Sequence, residues 1–157
     1  MRTLLIIVML VGVAAIAAAS FVLDGGAQQP GATLEYTCDP PRVPANVERP
    51  MRVVTSRTRR PYASVLVADA LGAELVPMGS AGAKAMAVVK GEVDAYAHAG
   101  GMYEWDSAAP VAVAQAAGLH ASRLDGSPLR YNDRDPWLPD ILICRPELAD
   151  TCLRALQ

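Results

Sequence analysis

Three glycines constrain this chain more than any other feature. Gly72, Gly91 and Gly118 each end an apolar, alanine-rich segment, and each is followed within a few residues by a short run of strand character. The residue just past a helix often turns left-handed, a conformation glycine adopts without steric cost. The pattern predicts helices over Tyr62–Leu71, Ala83–Lys90 and Asp106–Ala117, with Gly79–Gly82 as a turn. A last helix is predicted over Pro146–Leu156, its proline near the first turn where a missing N–H costs little. Strands are predicted over Arg52–Ser56, where Val53, Val54 and Thr55 are β-branched, and over Glu74–Met78, Val93–Ala97, Leu119–Ser122 and Ile141–Cys144. Ala99-Gly100-Gly101 reads as a loop, and Thr33–Pro50, with four prolines, as irregular. Strands alternating with helices specify an α/β fold: a layered sandwich with a mixed sheet. No internal repeat is visible. Asp106 is expected at the start of a helix at the sheet's edge.

The length of 157 residues suits one domain, and 52% hydrophobic residues suffice for a core. A net charge of −2, with 14 basic and 16 acidic residues spread along the chain, gives no reason to expect a nucleic-acid partner. Cys38, Cys144 and Cys152 form no C-x-x-C pair and no zinc-spaced cluster with histidine, so they read as reduced, partly buried thiols. His98 and His120 are isolated and read as packing residues.

Leu4–Leu23 is uncharged, with Arg2 before it and Ala17, Ala18, Ala19 and Ser20 after its most apolar part. That is a signal-peptide pattern. At about 1.5 Å per residue the run also nearly spans a bilayer, so an uncleaved anchor is the alternative. Asp24–Pro30 reads as a linker. The expected organisation is a signal- or anchor-like segment with its linker over residues 1–31, and a folded lobe over residues 32–157. The competing reading of the start is a truncated or rearranged gene product.

The stretch richest in chemistry is Tyr103-Glu104-Trp105-Asp106-Ser107-Ala108-Ala109-Pro110. Asp106 is placed to cap a helix, accepting a backbone N–H. Ala108 and Ala109 allow its first turn to pack closely, and Pro110 lies near enough to the start not to break it. Lys84 is the only charge in the body of an apolar helix. A cation there opposes the helix dipole by a few tenths of a kcal/mol, roughly, which a phosphate partner would offset. Gly79–Lys84 is not a P-loop, since no G-K-[ST] ends it.

Trp105-Asp106-Ser107-Ala108-Ala109, with Gly118 downstream, resembles the W-D-x-A-A signature of the inositol monophosphatase superfamily. Gly79-Ser80 with Lys84, then Gly91-Glu92-Val93-Asp94-Ala95-Tyr96, resembles that family's G-S…K…G-x-x-D-x-Y segment. Gly126-Ser127-Pro128-Leu129-Arg130-Tyr131-Asn132 resembles its G-x-P-L-x-Y-N turn, whose Tyr131 and Asn132 read as turn-shaping residues. The wording is most similar to the CysQ-type 3'(2'),5'-bisphosphate nucleotidase branch, over roughly Thr33–Leu156, the C-terminal half of the family's fold. The resemblance implies hydrolysis of phosphomonoesters with Mg²⁺, and makes Asp106 a metal ligand. It places Lys84, with Gly79 and Ser80, near substrate phosphate, and Ser56 and Arg57, more weakly, near the nucleotide. The implied substrate is a phosphorylated nucleotide such as 3'-phosphoadenosine 5'-phosphate, converted to AMP in the cytoplasm in sulfur metabolism.

The family's other metal ligands come from a glutamate pair and a D-P-x-D-G-T loop. The chain contains neither; Asp135-Pro136-Trp137 does not match. Glu104 and Asp94 offer further negative charge but match no family ligand. The resemblance therefore implies an incomplete Mg²⁺ site and a chain inactive alone, with self-association through the face that a first half would cover. The alternatives are an inositol-phosphate or fructose-bisphosphate phosphatase (a sugar-alcohol phosphate as substrate), and a non-enzymatic, membrane-tethered or degenerate fragment.

Overall fold

In the computed structural model, strand β1 (Arg52–Ser56) has a parallel neighbour on each side: β2 (Glu74–Met78) and β3 (Ala95–Tyr103). Beyond β3 the sheet continues with two antiparallel pairings, to β5 (Trp137–Cys144) and then β4 (His120–Ser122). The order is β2-β1-β3-β5-β4, so the sheet is mixed. The structure describes residues 43–44, 48–59 and 61–157. The expectations for Leu4–Leu23, the linker, Cys38 and the start of the irregular stretch lie outside them. Among the described residues no helix is long and apolar enough to cross a membrane.

The strands carry apolar residues on both faces, so alternate side chains enter two cores. Val54, Tyr96, Ile141 and Ile143 face helices α2 (Ala81–Val89) and α3 (Glu104–Ala116). Val53, Ala95, Ala97, Leu142 and Cys144 face α1 (Tyr62–Leu71) and α4 (Ala149–Ala155), the latter preceded by a 3-10 turn over Pro146–Leu148. The result is an α/β sandwich with helices on both faces of a mixed sheet. Cys144 and Cys152 are both free and buried in the α1–α4 core.

The glycine punctuation is realised in the backbone. Gly72, Gly91 and Gly118 have φ of 60°, 71° and 80°. After α3 the N–H of Leu119 reaches the Ala114 carbonyl at 3.0 Å and that of Gly118 the Gln115 carbonyl at 2.9 Å. These bonds satisfy carbonyls the helix end would otherwise leave open.

Several boundaries differ from the sequence-based expectation, four of them by more than a fraying end residue and close to the site. Helix α2 begins at Ala81 rather than Ala83, because the Ser80 side chain accepts the Ala83 N–H and caps the turn itself. Helix α3 begins at Glu104, so Asp106 is its third residue; its carboxylate reaches back to the Tyr103 N–H at 3.4 Å. This helix starts at the end of the sheet's middle strand, not beside an edge strand. Strand β3 runs through the expected glycine loop to Tyr103, because β5, itself longer than expected, pairs with Met102 and Tyr103 beyond a bulge.

Candidate functional site

The connections fix where a site can form. From β1 the chain crosses by α1 to β2 on one side; from β2 it crosses back by α2, on the other face, to β3. Strand order thus reverses at β1. At such a switch point a crevice opens beyond the carboxyl ends of the strands. A cavity of about 320 Å³ lies there, lined by Ser56 at the end of β1, Thr58 and Arg59 just after it, Ala81 and Lys84 of α2, and His98 and Gly101–Tyr103 of β3. Asp106 of α3 and Trp137 of β5 complete it.

Two helix starts, Ala81 and the Asp106 turn, meet the cavity, and the positive end of a helix dipole favours anions. Lys84 is only 5% exposed, yet no carboxylate among the described residues pairs with it. Its ammonium lies 5.2 Å from the centroid of the buried Tyr96 ring, a cation–π contact. Burial, and then the Arg59 guanidinium, push its pKa below the usual lysine value. A buried cation facing a cavity without a counter-ion is suited to receiving an anion.

Asp106 is exposed at the cavity and is its one acidic residue. Burial first, and the Asp106 charge second, push the Tyr96 phenol well above its ordinary pKa, and its hydroxyl has no partner among the described residues. His98 sits beside Lys84 on the same wall. Its Nε2 lies 3.3 Å from the Gly101 carbonyl, which can only accept, so Nε2 carries the proton and Nδ1 is an acceptor. That Nδ1 is buried without a partner among the described residues. Burial pushes the His98 pKa down against the Gly101 hydrogen bond, and Lys84 and Arg59 push it down further.

Of the residues singled out in the sequence, Ser56, Lys84 and Asp106 come together at the cavity. Ser80 caps α2 without lining it, and Gly79 lies behind, where a Cβ would meet Arg57 Nη2 at 3.6 Å. Arg57 is exposed and does not line the cavity; Arg59 does. The Ser56 hydroxyl accepts the Arg59 N–H at 3.3 Å, holding that turn. His98, read as packing, is a cavity residue. Its signal was the strand period, which puts it on one face with Tyr96.

The charge offered by Asp94 and Glu104 is already committed. Asp94 lies at the opposite end of β3, held by Arg49 at 2.8 Å, the Arg52 N–H at 2.8 Å and Arg145 at 3.7 Å. Glu104 accepts the N–H groups of Asn132 and Asp133 at 2.7 and 3.2 Å and fixes their turn. Among the described residues no three His, Cys, Asp or Glu side chains gather as a metal cage. Asp106 therefore fits one Mg²⁺ ligand, of the kind completed by waters and substrate oxygens, and the set does not fit a pair of ions.

Comparison with known proteins agrees with the geometry. The chain is 58% identical over 113 residues to the 3'-phosphoadenosine 5'-phosphate phosphatase of Mycobacterium bovis, covering 72% of this chain and 42% of that protein. The Mycobacterium leprae protein of the same name is 54% identical over 115 residues, covering 73% and 42%. This chain thus spans about two-fifths of the length of these curated relatives. Among solved structures, CysQ from Bacteroides thetaiotaomicron, a bacterial member of the inositol monophosphatase family, superposes with a TM-score of 0.55 at 30% identity, over 64% of this chain and 39% of that one. The model of the inositol monophosphatase family matches residues 20–157, and the chain belongs to that family.

Proposed function

We propose that this chain carries the substrate-holding half of a Mg²⁺-dependent 3'(2'),5'-bisphosphate nucleotidase site, and binds such nucleotides without turning them over by itself. The observation that carries this reading is the placing, on one cavity, of an exposed aspartate and a buried lysine with which no carboxylate among the described residues pairs. The names of the mycobacterial relatives support the choice of 3'-phosphoadenosine 5'-phosphate over other phosphomonoesters. In this reading one phosphate lies at the start of α3, beside Asp106, which would hold a Mg²⁺ ion. The other lies against Lys84 and the start of α2. The ion, when bound, supplies charge neutralisation at the phosphoryl group. Lys84 and Arg59 hold the anion, and His98 and Tyr96 form the dry wall behind it.

Calorimetric titration with adenosine 3',5'-bisphosphate in Mg²⁺ tests the reading. Binding is expected, with loss of at least about tenfold in Lys84→Met, because removal of a charge-assisted contact costs about 1.5–3 kcal/mol. Asp106→Asn should abolish the Mg²⁺ dependence. Equal affinity in wild type and both variants would place the ligand elsewhere.

A further inference from the structure

Trp137 is the least expected member of the cavity wall. A tryptophan that is 49% exposed leaves much apolar area in water, and interiors and interfaces are its usual places. It is nevertheless held firmly. It opens β5 and pairs in register with Tyr103 of β3. Its ring meets the Tyr103 ring edge-on, with centroids 5.3 Å apart and planes at 84°. Its other support is Gly101, where a Cβ would collide with the six-membered ring of the indole. The indole is thus fixed by a sheet bond, an aromatic edge and a bare stretch of backbone, while it opens on the cavity that contains Lys84 and Asp106.

We propose that the exposed indole of Trp137 is the stacking platform for the nucleobase of a nucleotide whose phosphates sit at Asp106 and Lys84. The proposal rests on the reading of this cavity as a bisphosphate-nucleotide site, and it assigns the residue that tells nucleotides from non-aromatic phosphates. An aromatic base offers a π-face that an inositol or sugar phosphate lacks, and a rigid indole loses little freedom on stacking. Trp105 provides an internal contrast. It is 67% exposed and stacks on Tyr103 at 4.4 Å and 8°, but it does not line the cavity.

The chain has two tryptophans, so in Trp105→Phe the indole fluorescence comes from Trp137 alone. Adenosine 3',5'-bisphosphate should quench it saturably, and inorganic pyrophosphate, which has no base, should not. By calorimetry on the full chain, Trp137→Ala should weaken nucleotide binding by about tenfold or more, while Trp137→Phe stays within about threefold of wild type, since stacking on one base is worth that order and survives a change of ring. Pyrophosphate affinity should be unchanged in both variants, and Trp105→Ala should change neither ligand. Nucleotide affinity indifferent to Trp137→Ala, as when the aromatic cluster instead receives another polypeptide, overturns the proposal. Equal weakening of nucleotide and pyrophosphate overturns it too, since the wall itself has then moved. Pyrophosphate binding without nucleotide binding sinks the stacking platform alone. A wild-type chain that binds neither ligand sinks the reading of the cavity, and this proposal with it.

Discussion

At Gly101 one residue meets two independent demands. Its φ of 81° is left-handed, and the Trp137 ring occupies the place of its missing side chain. Its carbonyl also takes the proton on His98 Nε2. Gly101→Ala should therefore cost the left-handed backbone penalty of about 1–2 kcal/mol together with about 1–3 kcal/mol of overpacking. Gly100→Ala, with φ of 101° and no atom within 4 Å of the new Cβ, should cost the backbone share alone. Thermal unfolding of the two variants checks this, and equal losses would mean that Trp137 is not seated on Gly101. His98 makes a second prediction. Its pKa in the folded chain lies below the ordinary histidine value because of burial, opposed by the Gly101 bond and reinforced by Lys84 and Arg59. The unfolded chain then binds more protons as pH falls through about 6.5, so this contribution to stability is present above that pH and is lost below it. Between about pH 7.5 and 5.5 the melting temperature of wild type should fall more steeply than that of His98→Phe; parallel profiles would refute it.

Strand β3 joins the site to the frame, and its two ends do different work. Just before it, Asp94 is 3% exposed and ties Arg49, the β1 backbone at Arg52 and Arg145 into one cluster. Asp94→Asn leaves two guanidiniums facing a neutral group, and breaking a buried pair from one side costs about 3–5 kcal/mol. Urea unfolding should show a loss near that size, well above that of Asp140→Asn, whose partner Arg123 is more exposed. Comparable losses would show that Asp94 is not the keystone of that end. The far end of β3 carries the bulge and the cavity wall, and here the sequence was least legible. The helix ends at Gly72, Gly91 and Gly118 could be placed from sequence because a left-handed cap is a local demand. The extension of β3 through Gly100 and Gly101 is not local. Those residues read as a loop until β5 pairs beyond them, and the pairing of Tyr103 with Trp137 is a long-range fact. Asp106, Lys84 and Ser56 were found through motif resemblance. Trp137, Arg59 and His98 reach the cavity only through the crossover at β1 and the bulge.

At the scale of the whole molecule, the described residues form a cavity with too few oxygen ligands for paired-metal chemistry. Hydrolysis through two Mg²⁺ ions requires them to be held a few ångströms apart, with the attacking water between metal and phosphorus. Each ion keeps several waters and is fixed by carboxylates together with substrate oxygens. Among the described residues the cavity has Asp106 alone; Glu104 is spent on the Asn132 turn and Asp94 on its arginines. Nor does the sequence contain the D-P-x-D-G-T loop that the resemblance leads one to expect. In the proposed reading the chain alone does not position the nucleophile, and so forgoes the gain from orientation, worth about 7–11 kcal/mol in favourable cases. Purified chain at millimolar Mg²⁺ should accordingly release no phosphate from 3'-phosphoadenosine 5'-phosphate above the Asp106→Asn background, under conditions where the nucleotide is bound. Steady turnover that Asp106→Asn abolishes would refute the ligand count. It would mean that a second copy of the chain supplies the further carboxylates that close the site around the same aspartate.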